Sequence, residues 1–130
     1  MTKPLSPADT YLLNQISTAS PEQLQSMLLS AAQRHLHRAA TQFNTGDLQL
    51  QKQYIDKVID IIDTLSCYLS SEQTELTMSL YAIYRFWLLE IPKAFMSSDL
   101  KSIDTILIQM KELQTAWEMR QEAINRNNAQ

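Results

Sequence analysis

Three groups of side chains are of types that could do chemistry: the pair His35 and His37, the thiol of Cys67, and the row Asp56, Asp60 and Asp63. Histidines share a metal ion from one helix when they stand three or four residues apart. His35 and His37 are two apart, which turns them about 200° from each other, so each reads as a boundary or surface side chain. Cys67 has no base near it in sequence and reads as a buried structural thiol rather than a nucleophile. The three aspartates fall at i, i+4 and i+7, on one helix face where a cation could sit. Lys52 and Lys57 lie beside them, and a solvated acidic face is the reading that follows. There is no glycine-rich phosphate loop and no paired Glu-x-x-His motif of the kind that binds two metals in a helical bundle. The chain therefore reads as a protein that is not an enzyme, with no cofactor and no metal.

Composition narrows the class further. A chain of 130 residues is long enough for one domain that buries about two thirds of the surface its unfolded form would expose. One glycine and four prolines leave too few corners for a sheet and predict an all-α fold. The formal net charge is −3 with a pI near 5.3, and lysine and arginine are scattered, so nucleic acid is not an expected partner. The opening MTKPLSPADT has no apolar core of a signal peptide, and no run of about 18 uncharged apolar residues follows, which predicts a cytoplasmic protein without membrane insertion. A single cysteine suits a reducing compartment.

The elements can be placed from their caps. In "TASPEQLQSMLL", residues 18–29, Ser20 can cap a helix, Pro21 sits where its missing N–H costs nothing, and Gln23 can reach back to the amide of Ser20. The helix predicted over 21–44 carries Leu24, Met27, Leu28, Ala31, Ala32, His35, Leu36, Ala39 and Phe43 on one face. Gly46 can end it in the left-handed conformation and Asp47 can cap the next, about 48–69, with Tyr54, Ile55, Val58, Ile59, Ile62, Leu65 and Leu69 on its stripe. Ser70 to Thr74 supply a second corner and open a third helix; Asp99 caps a fourth, faced by Ile103, Ile106, Leu107, Met110, Leu113 and Trp117. Helices of matched length joined by short corners predict an antiparallel four-helix bundle over residues 18–124. A short extra helical segment, about 7–16, lies within an N-terminal cover segment of residues 1–17, and residues 125–130 read as a disordered tail.

The third helix exceeds what a bundle needs. In "LYAIYRFWLLEI", residues 80–91, only Arg85 and Glu90 are charged and apolar side chains point in every direction. A bundle helix buries a stripe little more than about 100° wide, so some of this surface must face something else. A self-association surface, a cover by the N-terminal segment and a groove for a partner's amphipathic helix all satisfy it. Pro92 predicts a kink or break, after which "PKAFMSSD" could restart as a short turn.

The run Tyr11-x-x-Asn14-x-Ile16-x-Thr18-Ala19-Ser20-Pro21-x-x-Leu24-x-x-Met27-Leu28 resembles the N-terminal signature of the FliS family, the cytoplasmic export chaperones of flagellin. "IDKVIDIIDTL" at 55–65, Leu80-Tyr81, and "DLKSIDTILIQMKELQTAW" at 99–117 extend the similarity over residues 8–120. Two stretches depart from it: Leu29, Ser30 and Ala31 stand where the family usually has an aromatic residue, an Asp and a small residue, and 85–99 lacks its common Arg and Asn pattern.

The resemblance implies a bundle that binds the disordered C-terminal segment of flagellin, blocks premature polymerisation and delivers the subunit to the flagellar type III export apparatus. Export-apparatus components, a co-chaperone, an anti-sigma factor and a second copy of the chain stay open as further partners. With it, the residues predict an apolar groove built by the second, third and fourth helices and lined by Ile55, Val58, Ile62, Tyr81, Tyr84, Leu88, Leu107 and Met110. Tyr11, Asn14 and Ile16 are expected to pack on the bundle as cover or as part of the client site. The alternative is a structural dimerisation or adaptor module with no unfolded client.

Overall fold

The computed structural model describes residues 6–10 and 19–129, and these are all-helical, with no strand among them. Residues 7–10 form a short helical turn started by Ser6, whose Oγ accepts from the amide of Asp9 at 3.1 Å. Four long helices follow: α1 (Pro21–Thr45), α2 (Leu48–Cys67), α3 (Glu75–Met96) and α4 (Leu100–Asn128). The expected extra helix over 7–16 is thus seen only in its first turn, and the rest of it lies outside the described residues.

Each start is written in its cap. The amide of Gln23 donates to Ser20 Oγ at 3.1 Å and the amide of Ser20 to Gln23 Oε1 at 2.9 Å, the reciprocal box that the sequence predicts. Gly46 takes φ 74° and its N–H closes on the Gln42 carbonyl at 2.8 Å, after which Asp47 Oδ1 caps α2 through the amide of Leu50. Thr74 and Thr77 form a second reciprocal box at the head of α3. Asp99 caps α4 through the amide and hydroxyl of Ser102, and those hydrogen bonds hold its carboxyl below the usual aspartate range.

Helix α1 is the hub. Its small residues Ala32 and Ala39 are fully buried and let it approach α2 and α4 closely, while α3 meets α2 and α4 less intimately because Tyr84, Trp87 and Phe95 stand between the backbones. Side-chain bonds fix the pairing. Gln25 Nε2 donates to the Leu65 carbonyl at 3.0 Å and Gln51 Nε2 to the Ala39 carbonyl at 3.1 Å, so α1 and α2 run in opposite directions. Ser20, Ser26 and Gln33 bond Gln121, Glu118 and Gln114 in turn, so α1 and α4 do as well. The core between these helices is built from Leu29, Leu36, Val58, Ile62, Leu65, Leu80, Trp87, Ile91, Ile103, Ile106 and Met110.

Three expectations are corrected. The break at Pro92 and the restart after it are absent: helix α3 runs unbroken through Pro92 to Met96. The proline is exposed, so water can satisfy the freed Leu88 carbonyl, and buried Ile91, Ala94 and Phe95 keep the last turns on the core. Cys67 is exposed, because the buried stripe of α2 runs through Val58, Ile62 and Leu65 and a side chain two residues further on leaves it. The tail expected from residue 125 is helical to Asn128, with half-buried Ala123 and Ile124 on the bundle side and Gln121 Nε2 bonded to Asn125 Oδ1.

Candidate functional site

The buried stripe of α3 is Leu80, Tyr84, Trp87 and Ile91, at spacings of four, three and four. That stripe consumes one face, and what remains is still apolar: Leu76, Met78, Tyr81, Ile83, Phe86 and Leu89 are exposed, Phe86 at 48% and Leu89 at 67%. On α4, Ile108 and Met119 are exposed too. Between the two helices lies a groove of about 530 Å³ whose walls are Ala82, Ile83 and Phe86 from α3 and Leu113 and Ala116 from α4. Trp87 forms part of its floor, and Gln109 and Glu112 supply its polar atoms. The Trp87 indole N–H donates to Gln109 Oε1 at 2.9 Å, which holds the floor of the groove to one wall.

The arrangement offers chemistry of one kind, the burial of apolar surface. Among the described residues no cluster of three or more histidine, cysteine or carboxylate side chains could hold a metal ion, and Asp56, Asp60 and Asp63 are all exposed. No helix among them is long and apolar enough to cross a membrane. Ala82 on α3 and Ala116 on α4 both line the groove, and their small side chains take up little of its space.

The predicted lining divides by burial. Val58, Ile62, Tyr84 and Met110 have no accessible surface and belong to the closed core rather than to a groove. Ile55, Leu88 and Leu107 are half-buried and pack against that core, and Tyr81 is exposed. None of the eight lines the α3–α4 groove. Tyr11, Asn14 and Ile16 lie outside the described residues. Of the residues that line this groove, Leu113 stands on the apolar face read for the fourth helix, while Ile83, Phe86 and Glu112, which the sequence reading did not single out as lining, flank the 80–84–87–91 and 103–106–110 stripes.

Tyr84 is a core tyrosine, and burial pushes its phenol up from the usual value; its hydroxyl donates to Gln25 Oε1. Helices α1, α2 and α3 thereby share one buried polar link, since Gln25 also reaches the Leu65 carbonyl.

His35 sits in the α1–α2 seam, its ring stacked on Tyr54 at 6.1 Å, with Lys57 Nζ 5.9 Å from the Tyr54 ring centre. Its Nδ1 is buried without a hydrogen-bond partner. Burial, then the charges of Lys57, Arg38 and Arg34, lower its pKa below 6.5. A base lowered on folding is favoured neutral in the folded state. The unfolded chain therefore takes up a proton below pH 6.5 that the fold resists, so the stability this histidine contributes is full above 6.5 and is lost as pH falls through the folded value. The denaturation midpoint of the wild type is expected to drop between pH 7.5 and 5. In His35→Phe that drop shrinks, as urea titrations at several pH values will show. Asp99 acts only at lower pH, below its ordinary 3.8, so the two windows separate.

The family model of the flagellar protein FliS matches residues 4–124. A protein of Vibrio cholerae serotype O1 named flagellar secretion chaperone FliS is 26% identical over 106 residues, 81% of this chain and 78% of its own length. The match of the family model covers α1 to α3, α4 as far as residue 124 and every residue lining the groove between α3 and α4, and it shows that this chain belongs to the FliS family of flagellar proteins.

Proposed function

We propose that this chain is a cytoplasmic flagellar export chaperone whose client is the disordered C-terminal segment of flagellin. On this reading its four helices make an antiparallel bundle that holds the segment as an amphipathic helix in the α3–α4 groove, prevents premature polymerisation and hands the subunit to the export apparatus. The family membership and the name of the Vibrio cholerae relative support a chaperone rather than an enzyme.

The single observation that carries the site is the apolar seam of Ile83, Phe86, Leu113 and Ala116, on two helices that also expose Leu89 and Ile108. A helix laid along it finds anchors at helical spacing on both walls. Holding a segment that folds on binding costs about 2 to 5 kcal/mol in ordering, which an interface of about 1,600 Å² with a few well-packed anchors offsets. No nucleotide is needed, because apolar burial supplies the affinity.

Calorimetric titration with the C-terminal peptide of the organism's own flagellin tests the reading. Saturable binding with a negative heat-capacity change is expected, since apolar surface leaves water. A chain that ignores the peptide and sediments as a tight dimer through α3 would instead be a dimerisation or adaptor module.

A further inference from the structure

We infer that Glu112 sets the direction of the bound helix: the segment in the α3–α4 groove places an arginine or lysine side chain against this carboxylate. The inference rests on the groove's being the client site. Apolar walls attract without direction, so Ile83, Phe86, Leu113 and the two alanines would accept an amphipathic helix either way round. Direction has to come from the polar lining, which is Gln109 and Glu112.

Their states differ. Gln109 Oε1 is occupied by the Trp87 indole N–H, which leaves its amide nitrogen as a donor. Glu112 is the one charged residue lining the groove among the described residues, and it is exposed there. The single ion pair among those residues, Arg120 with Glu22 at 3.8 Å, lies elsewhere. A donor and an anionic acceptor three residues apart on α4 stand about 4.5 Å apart along the axis. A client helix matches that order in one orientation only. A carboxylate in the same place would be repelled, so the groove selects for a cationic residue beside the apolar anchors and against an anionic one.

The test is titration of the full chain and of its E112Q and E112K variants with the C-terminal flagellin peptide, at about 20 and 300 mM NaCl, where charges are screened over about 20 Å and about 6 Å respectively. At the lower salt E112Q is expected to weaken binding about threefold and E112K about tenfold, with the differences shrinking at the higher. In a series of peptides with single Lys or Arg to Glu changes, one is expected to bind E112K more tightly than it binds the wild type, a result that altered folding cannot produce. Equal affinities and equal salt responses in all three proteins would overturn the role of Glu112 alone. Absence of binding to the wild type would overturn the client groove and this inference with it.

Discussion

Trp87→Ala is expected to cost about 3 to 5 kcal/mol of folding stability, the largest single-residue loss in the molecule. Trp87 is the largest side chain with no exposure at all, and it stands where α3 and α4 are held apart by bulk rather than by close backbone approach. Its ring tilts against Tyr84 at 5.6 Å between centroids, and its N–H is satisfied by Gln109. Removing it empties a volume that no neighbour can fill without moving α3, and it leaves the Gln109 amide free in the groove. Trp87→Phe keeps most of the packing and loses the hydrogen bond, so its cost is expected to fall near the low end of that range or below it. Urea denaturation at pH 7.5, where His35 contributes fully, measures both.

Phe86→Gln combined with Ile83→Gln should do the opposite: nearly abolish client binding while leaving the fold almost untouched. Both residues are adjacent to the core stripe yet exposed, so their replacement by a helix-compatible polar residue is expected to change stability by about 0.5 kcal/mol or less each. Both are walls of the groove. An aromatic anchor at the centre of an interface is commonly worth about 2 kcal/mol, which is near thirtyfold in affinity, and loss of the second wall adds to it. Calorimetry with the flagellin peptide, beside thermal melts of the same proteins, checks the separation of the two effects. Loss of stability in step with loss of binding would mean that these side chains are core after all.

What could be read ahead of the structure, and what could not, follows from how each signal is encoded. The caps at Ser20, Asp47 and Asp99 and the left-handed Gly46 are local chemistry within four residues, and they appear in the structure at those positions. The cap of α3 was placed only within the stretch 70–74, because Thr74 closes its box with Thr77 rather than with a Glu or Gln. The buried glutamines were invisible to hydrophobic periodicity. Gln25 and Gln51 are nearly inaccessible because each finds a carbonyl on the neighbouring helix, a match that only the packed structure creates.

The third helix shows the same limit at the site. Its excess of apolar residues was plain, but division into core and groove depends on which way α3 is rotated, and on a helix apolar all round the pattern does not fix that rotation. The pattern alone therefore points Tyr84 to the groove, whereas Tyr84 lies in the core and Phe86, two residues on, lines the α3–α4 groove. On α2 and α4 the stripes are where the pattern puts them, and Val58, Ile62 and Met110 are their most buried points, which places these three in the closed core.

The proposed binding of a flagellin segment between α3 and α4 is tested most directly by amide chemical-shift mapping of the labelled chain as the C-terminal flagellin peptide is added. The account predicts that the largest changes fall on residues 82–89 of α3 and 108–116 of α4, with α1 little affected. Changes concentrated on α1 and α2, with the α3–α4 seam unmoved, would contradict it.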